Sequence, residues 1–519
     1  MLTTIVGLIW GALGAGETPL EAIVVCAPPL RPALQPWVDH RANQGIRCRF
    51  VAPAETAALT REKVRDAAPR GARWIVLVGD TPTASAVETR ELAVPTFLLP
   101  AKVNKLFGSE PHLASDVPYG DFDGDRVPDA AVGRLSCRSA ETLTTLVAKI
   151  LAYEKAPAGP WRQKINIVAG VGGFGPVADG AIEWATAKLI NGGIPASYDT
   201  TLTLGNWQSP YCPDPRRFSS AVCDRLQDGC LFWVYVGHGH RTSLDHIRVP
   251  GGRYSMLQSA DVDRLQCPAG SPVALMLACH TGAFDSPVDC LGEQLVAKPG
   301  GPIAAICGSR VTMPYAMSIL GAGLMDACFE QRKETLGEIL LTAQQQLPRD
   351  DQRAQRQILD TLAAVVSPRP DLLADERAEH VFLFNLLGDP TLRMPQPDPI
   401  ALKVGKEGVA GSNLLIEGST PLGGGATIEL VMRRDRLPFS KPARTEFDHD
   451  DAAASAYDET YRRSNDRRLV QKSVTLPAGA FSLELPIPPE ARGACHVRAA
   501  ILGEKQMALG ASDIFIRKP

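Results

Sequence analysis

No two of the twelve cysteines in this chain are spaced as Cys-x-x-Cys. A structural zinc site built on such pairs is therefore not expected. Positive charge is not in excess either: 54 Lys and Arg stand against 57 Asp and Glu, for a net charge of −3. Without a basic footprint, nucleic acid is not an expected partner. Beyond the N-terminus no apolar run reaches the roughly 18 residues of a membrane span. No internal repeat is evident, unless two α/β halves are themselves distant copies. No Lys or Arg precedes the apolar stretch Met1–Ala15, yet small residues follow it at Gly14 to Gly16. Residues 1–16 are read as a short secretory signal, so a secreted or cell-envelope location is expected.

What is present is the composition of a globular protein, 45% hydrophobic and 21% charged. A chain of 519 residues implies about two to four domains. Several cysteines, among them Cys26, Cys279 and Cys307, sit in apolar runs where the thiol packs as a small hydrophobe. Cys212, Cys223 and Cys230 form the expected source of a disulfide.

Apolar runs alternate with helix-length segments up to about residue 390. Ala22–Cys26, Trp74–Val78 and Ala130–Val132 read as strands of a first half, and Ile165–Ala169, Leu231–Val236, Val273–Leu277 and Pro302–Ile306 as strands of a second. Runs apolar on both faces fit parallel strands covered by helices. Between the halves a helix is predicted, capped by Ser139, with Leu143, Leu146, Val147, Ile150 and Leu151 as its apolar stripe. It stops before Pro157-Ala-Gly-Pro160. Met394-Pro-Gln-Pro-Asp-Pro399 is a linker. Beyond it short, partly alternating strands with Gly/Pro turns predict a β-sandwich. The charged stretch Arg433 to Arg468 is read as a solvated hairpin insertion or a disordered loop. The expected domains are thus 20–157, 162–394 and 400–519.

Two strand ends carry the chemistry. Val234-Tyr-Val-Gly-His238-Gly-His240 and Val273-Ala-Leu-Met-Leu-Ala-Cys279 each leave an apolar run for a loop. If the strands are neighbours, an imidazole and a thiol face each other, as a cysteine nucleophile and its base require. Gly237 and Gly239 allow sharp turns and close backbone approach. The N–H groups of Gly239 and Cys279 are then candidates for an oxyanion hole. The blander alternatives are a buried core thiol and an ordinary turn histidine.

The residue pattern resembles the gingipain-type cysteine peptidases, relatives of caspases, legumains and clostripain. The resemblance lies in Gly237-His238-Gly239 and in Ala278-Cys279-His280-Thr281-Gly282-Ala283-Phe284. It extends to Val78-Gly79-Asp80, to the Ser115–Leu135 segment and to Asn385-Leu-Leu-Gly388-Asp389-Pro390-Thr-Leu392, in family order over about residues 20 to 395. It implies an α/β fold: a caspase-like three-layer α/β/α arrangement in two tandem subdomains, followed by an immunoglobulin-like β-sandwich. It also implies Cys279 as nucleophile and His238 as general acid/base in peptide-bond cleavage through an acyl-enzyme. Its specificity pocket implies an acidic residue early in the catalytic half, for which this chain offers Asp179 and then Glu183, and hence a basic P1 residue. The plain reading of Asp179 is a helix cap. One departure is His240-Arg-Thr-Ser-Leu-Asp-His246, where the family often has Ser and then Trp.

No cofactor is expected for catalysis. Asp121, Asp123, Asp125 and Asp129 alternate around a Gly and suit a structural calcium by ligand type, although no terminal Glu follows. The alternative is an acidic turn capping its own backbone. His238-x-His240 with Asp245-His246 also invites a zinc hydrolase, but four residues separate His240 from Asp245 and no further ligand cluster is evident. The expected partner is a protein or peptide substrate. The competing reading is a non-catalytic binding or scaffold protein that kept the fold.

Overall fold

The computed structural model describes residues 20–68, 71–83, 87–170, 172, 192–437, 439–448, 450 and 452–519. The expected signal, Asp179 and Glu183 lie outside these residues.

Ten strands form one sheet: β1 Leu20–Cys26, β2 Ile46–Val51, β3 Trp74–Val78, β4 Ala131–Leu135, β5 Lys164–Ala169, β6 Asp199–Leu204, β7 Phe232–Val236, β8 Val273–Leu277, β9 Ala304–Gly308 and β10 Phe384–Leu387. Their order is β2-β1-β3-β4-β10-β9-β8-β7-β5-β6. Every pairing is parallel except β9 with β10. The two α/β stretches therefore share one sheet and run in opposite directions, joined at β10. Strands β3, β8 and β9 are buried throughout, as their unbroken apolar runs require. The helix Ala140–Lys155 begins where Ser139 accepts a hydrogen bond from the Thr142 N–H at 3.1 Å, and it buries Leu143, Leu146, Val147 and Ile150.

The sequence reading missed β2, β6 and β10. Two of these are the sheet's edges, where Arg47 and Arg49, or Thr200, Thr201 and Thr203, interrupt the apolar signal. The third has only four residues.

Much of the Ser115–Leu135 and Asn385–Leu392 resemblance is scaffolding. Arg134 on β4 is buried and donates to both carboxylate oxygens of Asp116, at 2.7 and 2.8 Å, and to the Gly79 and Val94 carbonyls. Asp389 accepts from Arg41 at 2.6 Å, from the Thr391 N–H at 2.8 Å and from the Trp37 indole. A buried charge is tolerated only when paired in this way.

Beyond the linker lies the expected β-sandwich. Ala401–Val404, Asn413–Thr420 and Gly479–Pro486 form one sheet, and Gly424–Met432, Arg468–Leu476, Gly493–Leu502 and Met507–Arg517 lead the other. Ile416 and Leu485 of the first pack with Ile428, Leu430 and Val497 of the second. The stretch 433–468 corrects the expectation of a solvated or disordered insertion. It contains the helix Ala452–Asn465, which buries Ala454, Tyr457, Tyr461 and Ser464 along one face. The Asn465 side chain accepts from the Leu202 N–H at 2.7 Å and donates to the Leu202 carbonyl at 3.0 Å. It thus pairs with edge strand β6 as a neighbouring strand would.

A second correction concerns the thiols. All twelve are free, Cys212, Cys223 and Cys230 included. Burial pushes Cys223 up to about 12 and raises the other two as well, so these three are inert core residues.

Candidate active site

Neighbouring strands β7 and β8 pair in register, with Val236 opposite Leu277. His238 and Cys279 each lie two residues past that pair, so the register delivers them to the same rim. The Gly237 N–H donates to the Leu277 carbonyl at 3.3 Å and holds the two exits together. Gly239 is needed for close approach: a Cβ there would lie 2.6 Å from the Cys279 carbonyl oxygen. The buried Tyr235 hydroxyl donates to the His238 carbonyl at 2.7 Å and fixes the histidine loop from below.

Cys279 is half-buried. Its sulfur accepts from the Thr312 N–H at 3.3 Å and lies 3.6 Å from Thr312 Oγ1. This N–H and the Thr312 carbonyl, 3.7 Å away, hold the sulfur in place at the cleft. The next residue, His280, has φ 56°, and its N–H donates to the Arg310 carbonyl at 3.0 Å. A left-handed conformation at a non-glycine residue is costly and is held here by its surroundings. Both the Cys279 and Thr312 loops are thereby anchored.

His238 and Cys279 line one cleft of about 480 Å³. Met313, Pro314, Tyr315 and Met317, at the start of the helix Pro314–Met325, form one wall, and Leu359, Leu362 and Val366 of the helix Ala354–Val366 form another. Glu376 of the helix Leu373–Leu383 also reaches it. Burial pushes this carboxyl up to about 7, and its Oε1 accepts from the Ala316 N–H at 3.1 Å.

A charged rim stands beside the nucleophile. Arg310 grips Asp285 with two bonds of 2.8 and 2.6 Å, and Glu110 accepts from Arg241 at 2.8 Å. Burial works against the Glu110 carboxylate, but its backbone hydrogen bond, His280 and Arg310 outweigh it and leave the group below its ordinary range. Burial pulls His280 down, opposed by Glu110.

Other expected ligands fall away from this cleft. Carboxylate oxygens of Asp121, Asp123 and Asp129 gather within 4.8 Å of one another, whereas Asp125 is not part of that group and caps the Val127 N–H at 2.7 Å. Asp121 lies 3.2 Å from Arg61 and also accepts from the Gly124 N–H, while Asp129 accepts from the Phe122 N–H. The oxygens suit calcium in type, but a cation and backbone donors already engage them, and no step below uses a metal. His240 is exposed and His246 opens a short hairpin strand. Neither joins a metal-ligand group among the described residues.

Residues 15–395 match the family model described as peptidase family C25. The chain belongs to peptidase family C25. Among curated relatives of this C25 chain, Lys-gingipain of Porphyromonas gingivalis is 25% identical over 309 residues, covering 56% of the chain and 16% of the relative. Gingipain R2 of the same organism is 22% identical over 367 residues, covering 67% of the chain and 45% of the relative. The chain thus spans less than half the length of either. Among solved structures, the Arg-specific cysteine proteinase gingipain R superposes with a TM-score of 0.54 at 16% identity, over 97% of this chain and 99% of that one. That likeness bears out the expected caspase-like α/β fold.

Proposed function

We propose that this C25 chain is a cysteine endopeptidase. The observation that carries the reading is the single cleft lined by His238 and Cys279, with the Thr312 N–H directed at the sulfur. His238 takes the thiol proton and Cys279 Sγ attacks the scissile carbonyl. The N–H groups of Gly239 and Cys279 stabilise the resulting oxyanion. His238 then gives its proton to the leaving amine, an acyl-enzyme forms, and water, deprotonated by His238, releases the acid. Export through the N-terminal apolar stretch, and action on protein outside the cell, belong to the same reading. A basic P1 preference is supported by the names of the relatives, Lys-gingipain and the Arg-specific gingipain R.

The test is cleavage of a peptide library by wild type, Cys279→Ala and His238→Ala, with folding checked by circular dichroism. Each variant is expected to lose turnover by about 10⁴-fold or more while keeping its fold. Labelling by iodoacetamide separates the scaffold alternative. A peptidase is alkylated selectively at Cys279, whereas a scaffold shows no selectivity for that thiol. Full activity in Cys279→Ala would end the proposal.

A further inference from the structure

A carboxylate buried without a counter-ion is costly unless something else brings the positive charge. Glu376 is only 5% exposed, and what is exposed opens into the cleft of Cys279. Among the described residues no Lys, Arg or His nitrogen lies within ion-pair reach of it. One oxygen accepts from the Ala316 N–H. Arg377 favours the Glu376 carboxylate from a distance but spends its guanidinium N–H groups on the Tyr315 hydroxyl at 2.8 Å and on Asp350, so it makes no ion pair with Glu376. The cleft that Glu376 and Cys279 both line is walled mainly by apolar side chains: Met313, Pro314, Met317, Leu359, Leu362 and Val366. Such a cleft matches a side chain with a long hydrocarbon stem and a cationic tip.

Building on the peptidase reading, we propose that Glu376 is the specificity-determining carboxylate of this cleft, receiving the ammonium or guanidinium of a substrate Lys or Arg whose methylenes lie against the Met313–Met317 and Leu359–Val366 walls. This assigns the role to a residue on the helix Leu373–Leu383, not to Asp179 or Glu183. An arriving cation replaces the missing counter-ion, so recognition and charge compensation are one event.

Substitution by Gln keeps an oxygen for the Ala316 N–H and removes only the charge. The experiment compares kcat/KM for matched peptides with Lys or Leu at P1, in wild type, Glu376→Gln and Glu376→Asp. The Lys-to-Leu ratio is expected to fall roughly 10- to 100-fold in Glu376→Gln, mainly through KM, and to recover in part in Glu376→Asp. In wild type the ratio should rise between pH 6 and pH 8, as a carboxyl held near 7 ionises, and this rise should vanish in Glu376→Gln. The other groups packed around Glu376 do not mimic this response. Glu379 is bound by the Val103 and Asn104 N–H groups, and burial holds His380 neutral at about 4. Tyr315 is tied to Asp360, and Arg356 to the same carboxylate. The catalytic pair acts on both peptides alike and cancels from the ratio. A parallel loss on both peptides, with the ratio constant, would reduce Glu376 to a cap on the helix Pro314–Met325 and overturn the assignment. An independent readout uses n-butylammonium, which should slow alkylation of Cys279 in wild type more than in Glu376→Gln. Wild type that cleaves neither peptide and shows no selective alkylation overturns the peptidase reading itself. Cleavage of both peptides with no effect of Glu376→Gln overturns only this inference.

Discussion

At residue 239 a hydrogen stands where any other amino acid would place a carbon against the Cys279 carbonyl. That contact sets the spacing between the histidine and cysteine loops. Gly239→Ala must push them apart, and displacement of about 1 Å in a catalytic pair costs roughly 10²-fold in rate. We expect Gly239→Ala to lose at least that much kcat/KM while circular dichroism and the thermal midpoint change little. Activity within threefold of wild type would mean that the loops tolerate the added methyl. The glycine and both reactive side chains were legible in the sequence because each sits beside an apolar run of strand length. Thr312 was not, since it offers its backbone N–H and any residue but proline carries one. Glu376 was equally hidden, because Asp375, Glu376 and Glu379 look alike in one dimension and only packing turns one of them into the cleft.

Among elements, legibility followed burial and length: β10 is buried throughout but has only four residues and was missed. Strands apolar on both faces were read to within two or three residues, whereas β2 and β6, each with one side unpaired by strand, carried mixed side chains. The 433–468 insertion shows why charge misleads. Two of its arginines, Arg434 and Arg467, are buried: Arg434 donates to the carbonyls of Ile194, Pro195 and Tyr198 at 2.6, 2.7 and 2.8 Å, and burial together with Arg467 and Arg498 brings it down to about 9. Arg434→Ala removes a charged donor from each of the three carbonyls, of which Pro195 keeps the Tyr198 N–H and Tyr198 keeps Arg498. A loss of about 2–4 kcal/mol in urea-induced unfolding is expected, with faster proteolysis inside the insertion. A change below about 0.5 kcal/mol would return Arg434 to the class of surface charges.

On the scale of the molecule, the sandwich shields the outer edge of the large sheet, which an isolated catalytic stretch would leave open. Tyr461 meets the Thr203 hydroxyl at 2.6 Å, Arg467 reaches the Thr200 hydroxyl at 2.9 Å, and Asn465 occupies the free backbone positions of Leu202. A chain ending at residue 395 should therefore associate through β6 and scatter light at concentrations where the full chain does not. Equal solubility and thermal midpoint for the two would show that the tail is dispensable to the edge.

The strand that unites the sheet is the last of its ten to be translated. Until Leu387 has left the ribosome, a nascent chain holds two half-sheets, each with a bare hydrogen-bonding row facing the place where β10 belongs. Neither row can be satisfied locally, so the interval before residues 384–387 emerge is when this polypeptide is most exposed to wrong partners, and a folding helper acting then would find its target at the centre of the future sheet.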